Sequence, residues 1–256
     1  PRDSAQAVQM PYAELHCRTN FSFLSGASHP EELVARGAEL ELSALAITDR
    51  NTLAGVVRAH RAVKEVAKKD LHVRLVVGAR LDFADGPGVL AYPTDRQAYG
   101  HLSHLLTVGK RRAPKGRCHL NFSDLLDLER GQKFIIVPPE KLDAAFAAQV
   151  RRVGLRFPRA THLAIHKHHG ARDRWRLKRL ADFAEATRVP LVVTNDVHAH
   201  APERRPLQDV MTCIREGCRR DEAGFRLHAN ADRHLKSPYE MSGLFRDYPD
   251  ALDRTV

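Results

Sequence analysis

The stretch PLVVTNDVHAH, residues 190–200, decides how this chain is read. Leu191, Val192 and Val193 form a short apolar run, and directly behind it stand Asp196, His198 and His200. A continuous run of this kind is a strand buried on both faces, the habit of parallel sheets covered by helices. Four more runs share the pattern: LSALAIT (42–48), VRLVVGA (73–79), KFIIVP (133–138) and THLAIH (161–166). Segments with helical spacing of apolar residues lie between and after them, over 30–41, 53–68, 172–188 and 203–216. Such alternation in a chain of 256 residues predicts an α/β fold, a sheet or barrel wrapped by helices, in one principal domain.

Local signals refine the helices. Ser28 stands three residues before Glu31, the spacing of a capping box, and Pro30 sits where an early helical proline is tolerated. Over 203–216, Leu207, Val210, Met211 and Ile214 fall on one helical face, which predicts a core-facing side, and Gly217 marks the stop. GKRRAPKGR (109–117) reads as a basic surface loop.

Lys and Arg total 41 against 31 acids, a formal charge of +10 that suits polyanionic partners without specifying a fold. The four cysteines are Cys17, Cys118, Cys213 and Cys218, and the one close pair lacks a second pair to complete a zinc knuckle. They are expected to be reduced thiols. No apolar run approaches membrane-spanning length and PRDSAQAVQM (1–10) lacks the apolar core of a signal peptide, so a cytoplasmic protein without a membrane partner is expected. No P-loop, G-x-G-x-x-G or G-x-S-x-G occurs, and nucleotide cradling and serine hydrolysis lose their main support.

Chemistry in helix-wrapped barrels gathers where strands end. The positions just past the predicted strands are Asp49-Arg50, Ala79-Arg80 and Asn195 to His198. Asp196 and His198 are two apart, so a continuing strand would point both to one side. With Asp49 and with His16 of ELHCRTNFS they make an oxygen and nitrogen set suited to zinc, manganese or iron. A buried aspartate satisfied by a histidine gives the same pattern. In HKHHG, His166, His168 and His169 are expected as surface histidines, because only Asp173 is near enough to complete a ligand shell.

Several stretches together resemble a known family: YAELHCRTNFSFLSGASHPEELVARGAELELSALAITDRNTLAGVVRAH (12–60), LVVGARLDF (75–83), PLVVTNDVHAHAPERRPLQDVMTCIREG (190–217) and NADRHLKSPYEM (230–241). They are similar to the N-terminal PHP domain of bacterial C-family DNA polymerase alpha subunits, in the error-prone DnaE-type, ImuC-like branch. The resemblance implies a distorted (β/α) barrel of the PHP type. It divides the chain into a flexible segment 1–11, a PHP domain 12–225 and, over 226–256, the start of the connection towards a polymerase core. For the parent protein it implies an error-prone DNA-directed DNA polymerase of damage-induced translesion synthesis. That protein would use a primed DNA template, deoxynucleoside triphosphates and Mg2+, the Mg2+ held in a polymerase domain absent here. Its partners would be a sliding clamp and an accessory inactive Y-family protein.

The family's metal motifs are only half kept. His16 matches the first histidine of an H-x-H motif, Asp49 the aspartate of a T-D-H motif, and Asp196 and His198 the D-x-H motif. Arg18, Arg50 and Arg80 stand where the resemblance implies a second histidine, a third histidine and a glutamate. Guanidinium stays protonated and has no lone pair to give a cation. The expectation is therefore a vestigial site that binds no metal, with the arginines paired to Asp49 and Asp196, and a structural domain without catalytic residues. The alternative is a metal-dependent phosphoesterase or 3′–5′ exonuclease in which the remaining ligands hold one ion and the arginines clamp phosphate.

Overall fold

A computed structural model of the protein describes residues 11–128 and 131–256. The elements, in chain order, are β1 (Ala13–Cys17), α1 (Pro30–Glu39), β2 (Ala44–Arg50), α2 (Val56–Ala67), β3 (Arg74–Leu81) and β4 (Val89–Pro93). There follow α3 (Arg96–Arg111), α4 (Phe122–Leu126), β5 (Gln132–Ile136), α5 (Ala144–Arg156), β6 (Thr161–Ile165) and α6 (Asp173–Thr187). The last are β7 (Leu191–Val193), α7 (Arg205–Glu216), α8 (Arg220–Ala223), α9 (Pro238–Leu244) and α10 (Pro249–Asp253).

The seven strands form one sheet in sequence order. Pairings are parallel except on either side of β4, which is antiparallel to β3 and to β5. That reversed strand is what distorts the barrel. Beyond β7 the chain meets β1: Val197 N–H donates to the His16 carbonyl at 2.8 Å and Arg18 N–H to the Val197 carbonyl at 2.9 Å. The sheet therefore curls until its ends touch at one mouth, through the isolated Cys17–Val197 bridge.

Alternation along the strands separates two apolar layers. Ala46, Leu90, Tyr92, Ile135, Ala164 and Val192 fill the inside of the curl. The larger layer lies between sheet and helices and includes Leu33, Leu45, Ile47, Phe134 and Leu163, all at most 1% exposed. Leu45→Ala should cost about 2–5 kcal/mol, as for other fully buried leucines, read from urea unfolding. The segment 226–256, expected as the start of a connection, packs into this same core through Met241, Phe245, Ala251 and Leu252. The flexible segment expected at 1–11 lies, but for Pro11, outside the described residues.

Four expectations need correction. The α1 cap falls one residue later: His29 N–H donates to Glu32 Oε2 at 2.8 Å, while Ser28 Oγ is taken up by His200 Nδ1 at 2.8 Å. The basic segment 109–117 begins as the end of α3, whose Lys110 and Arg111 sit at the helix C-terminus where cations are favoured. His166 is buried at the end of β6 and His168 half-buried, so of the three histidines only His169 is a surface residue.

The fourth correction is α7, which presents the opposite face to the one expected. Leu207, Val210 and Ile214 are 41%, 50% and 62% exposed, while Gln208, Asp209 and Thr212 are buried. The polar face turns inward because the barrel mouth offers it partners: Gln208 Nε2 donates to the Ser25 carbonyl at 2.8 Å and lies 3.1 Å from His198 Nδ1. Tertiary hydrogen bonds have overridden helical periodicity. Accordingly Val210→Ser and Ile214→Ser should each shift the stability of this chain by less than about 0.5 kcal/mol in thermal unfolding.

Candidate functional site

The mouth gathers residues from the ends of β1, β2, β3 and β7. β7 stops at Val193, and Asp196 adopts a left-handed conformation with φ 46°, which aspartate tolerates better than most residues. The strand therefore does not continue through Asp196. The turn instead brings Val197 back beside β1 and still leaves the Asp196 carboxylate facing His198. On the other side, residues 18–28 fold under the mouth so closely that a Cβ on Gly26 would lie 2.1 Å from the Thr19 carbonyl oxygen. Glycine is required there by backbone approach.

Asp196 is the hub. Its Oδ1 accepts from Arg18 Nη2 at 2.9 Å and faces His16 Nε2 at 3.3 Å and His198 Nε2 at 3.4 Å; its Oδ2 accepts from Arg233 Nη1. The two histidine contacts are too poorly aligned to be full hydrogen bonds, and neither Nε2 atom has another partner among the described residues. They act as close polar contacts. The His198 tautomer follows from its neighbour. Gln208 Nε2, which can only donate, lies 3.1 Å from His198 Nδ1, so Nδ1 accepts and the proton of the neutral ring sits on Nε2.

Asp49 lies apart from the guanidinium groups and is held by three short donors. Thr19 N–H, Thr19 Oγ1 and Ser22 Oγ each donate to it at 2.7 Å. Among the described residues no arginine pairs with Asp49 as expected, because hydroxyls of the 18–28 loop reach it first. Arg50 and Arg80, register neighbours on β2 and β3, converge on Asp82 instead, at 2.6 and 2.9 Å.

Electrostatics at the mouth favour cations already fixed in the protein. Burial, then neighbouring arginines, pulls Arg18 and Arg233 down to about 9, which still leaves both charged at neutral pH. Burial, followed by Arg18, pushes the pKa of His16 and of His198 well below the ordinary histidine value. Burial lowers His168 to about 3. Burial also raises Asp49, against the pull of its Ser22 and Thr19 donors. The mouth is a set of charged arginines, neutral histidines and engaged carboxylates.

A divalent cation does not fit this donor set. The Asp196 oxygens are already engaged, His198 presents N–H where a lone pair would be needed, and guanidinium cannot ligate. Among the described residues no group of three or more His, Cys, Asp or Glu is placed to hold a metal.

Three participants escape a strand-end reading. Arg233 comes from the loop before α9, and its only sequence signal is its place in NADRHLKSPYEM. Asp82 lies beyond the predicted strand end at Ala79, because β3 runs on to Leu81. Glu14, in the middle of β1, is fully buried and accepts from Tyr12 Oη at 2.7 Å, His16 N at 2.9 Å and Asn195 N at 3.1 Å, stitching β1 to the β7 end. Desolvation raises it to about 7 in spite of those bonds.

Residues 14–137 match the family described as the PHP domain. The chain carries a PHP domain. It is 52% identical over 246 residues to an error-prone DNA polymerase of Caulobacter vibrioides, covering 96% of this chain and 22% of that protein. It is 49% identical over 249 residues to an error-prone DNA polymerase of Brucella abortus, covering 96% of this chain and 23% of that protein. The chain thus spans little more than a fifth of the length of these relatives. A crystal structure named as a metal-dependent phosphoesterase of Bifidobacterium adolescentis matches with a TM-score of 0.53 at 16% identity, covering 73% of this chain and 88% of that one. At that identity the likeness is one of fold, and the PHP-type barrel is common to both.

Proposed function

We propose that this chain is the PHP domain of an error-prone DNA-directed DNA polymerase and that the domain itself is a structural scaffold. The observation that carries the first half is identity of about half the residues over nearly the whole chain with proteins bearing that name. The second half rests on the mouth, where Arg18 and Arg233 occupy Asp196 from two sides. A carboxylate with a guanidinium on each oxygen holds strands together, and its charge is neutralised by fixed cations where a metal would need it. The exposed face of α7, with Leu207, Val210 and Ile214, is the surface on which we place the rest of the polymerase.

In the parent protein, the catalytic Mg2+, the primed template and the deoxynucleoside triphosphates would belong to the polymerase domain. The sliding clamp and an accessory inactive Y-family protein would be its partners, and translesion synthesis after DNA damage in the cytoplasm its task. No helix among the described residues is long and apolar enough to cross a membrane.

The test has two arms. The protein expressed from its complete reading frame should extend a primer across a damaged template with Mg2+; failure to extend even undamaged template would remove the polymerase reading. The 256-residue chain, incubated with zinc or manganese and desalted, should retain well under one equivalent of metal by plasma mass spectrometry and hydrolyse no phosphodiester. Stoichiometric metal with hydrolysis lost in Asp196→Ala would instead establish the phosphoesterase alternative.

A further inference from the structure

Helix α7 ends in a particular way. Gly217 takes the left-handed conformation at φ 63°, Cys218 N–H donates to the Cys213 carbonyl at 3.1 Å, and Gly217 N–H reaches the Ile214 carbonyl at 3.4 Å. This pair of bonds, six-to-one and five-to-two, is a Schellman motif, and it brings the side chains of its first and last residues together, usually as an apolar contact. Here both side chains are thiols. Cys213 and Cys218 both line a groove between the end of α7 and α8, on the two ends of the turn that the 3.1 Å backbone bond closes. Cys213 is 8% exposed and Cys218 more open, so the pair is reached from solvent on one side.

The other two cysteines differ. Cys17 is fully buried in the core and Cys118 packs beside Gly109 of α3. Two thiols are too few ligands for a metal, but the backbone bond from Cys218 to Cys213 draws the two residues together across a six-residue turn, the proximity a disulfide requires.

We propose that Cys213 and Cys218 form an oxidisable dithiol site, closed to an intramolecular disulfide by oxidants of the peroxide class. The more accessible Cys218 sulfur attacks a peroxide oxygen; the O–O bond breaks, water leaves, and a sulfenic acid remains. The Cys213 sulfur then attacks the Cys218 sulfur, the S–S bond forms, the S–O bond breaks, and a second water carries away the oxygen. Two thiols lose two electrons and two protons, and hydrogen peroxide is reduced to two waters. Cys213 suits the resolving role, since burial and then the adjacent Cys218 thiol hold it above the ordinary thiol value. Disulfides of this sort in reducing compartments are transient and serve redox sensing. This one would lock the end of the helix that bears the exposed Val210 and Ile214.

The experiment is mass spectrometry of the folded chain, fully reduced and then given about one equivalent of hydrogen peroxide. The expected product is about 2 Da lighter, with two of the four cysteines protected from alkylation after denaturation without reductant. Tryptic peptides cleaved at Arg215 should remain joined through Cys213 and Cys218. The product should vanish in Cys218→Ser, leaving Cys213 alkylatable. A sulfinic acid on Cys218 with Cys213 still free, a disulfide between two chains, or a bond to Cys118 would overturn the assignment.

Discussion

Asp196→Ala is expected to destabilise the domain by about 3 kcal/mol, and to lower the midpoint of thermal unfolding by roughly 6–12 °C for a chain of this size. Removing the carboxylate strands two guanidinium groups in the mouth, Arg18 at 16% and Arg233 at 26% side-chain exposure. Breaking a buried ion pair by deleting one partner costs about 3–5 kcal/mol, and the residual exposure of both arginines argues for the lower end. The same removal leaves His16 and His198 without the contact that faces their Nε2 atoms. Replacing the whole network in one protein, with Asp196→Leu, Arg18→Met and Arg233→Met, should recover most of that loss, since apolar residues of similar volume often substitute for a buried charge cluster without penalty. Calorimetry of the three proteins decides the matter. A single variant within about 1 kcal/mol of the parent would mean that the arginines swing to water and that Asp196 is no hub.

The parts of this domain that were legible in sequence are those with one physical cause. The strands at 42–48, 73–79, 133–138, 161–166 and 190–196 are apolar on both faces, and each corresponds to an element of the sheet, shifted by a residue or more at the ends. β1 was hidden because it carries Glu14 and His16, polar residues that only a specific set of partners makes tolerable in a core. β4 was hidden by its flanks, since Gly86, Pro87 and Gly88 before it and its own last residue, Pro93, read as turns. The site divides in the same way. His16, Asp196 and His198 sit together as their strand-end positions suggested, with Arg18 among them, whereas Asp49 is claimed by Thr19 and Ser22. Arg233 was unreadable because it arrives from a loop 37 residues downstream of Asp196, a distance that periodicity does not span. The face of α7 was misread because periodicity reports which side of a helix is apolar, and burial there was decided by what Gln208 could bond at the mouth.

Acidification should weaken the fold more steeply than surface titration would. His16, His166 and His198 have pKa values pushed well below the usual histidine value, first by burial, and His168 is lowered to about 3. In the unfolded chain the same four take up protons near pH 6.5. Below that point the unfolded state binds more protons than the folded one, so stability falls as pH falls. Between pH 7.5 and 5.5 each buried neutral histidine therefore withdraws stability, on the order of 1 kcal/mol apiece. Glu14 works the other way. Its folded pKa is raised to about 7, so the folded state takes up a proton over the same interval while the unfolded state does not, returning roughly 2 kcal/mol. The lowered histidines outnumber Glu14, so the net expectation is a loss of stability on acidification, drawn from the roughly 5–15 kcal/mol that holds a typical domain. Urea unfolding at the two pH values measures it directly, and Glu14→Gln, which removes the opposing group, should steepen the dependence on pH. Equal stability at pH 7.5 and 5.5 in the parent protein would show that the histidines of the mouth are already protonated when folded, and that Asp196 then carries more positive partners than its two arginines.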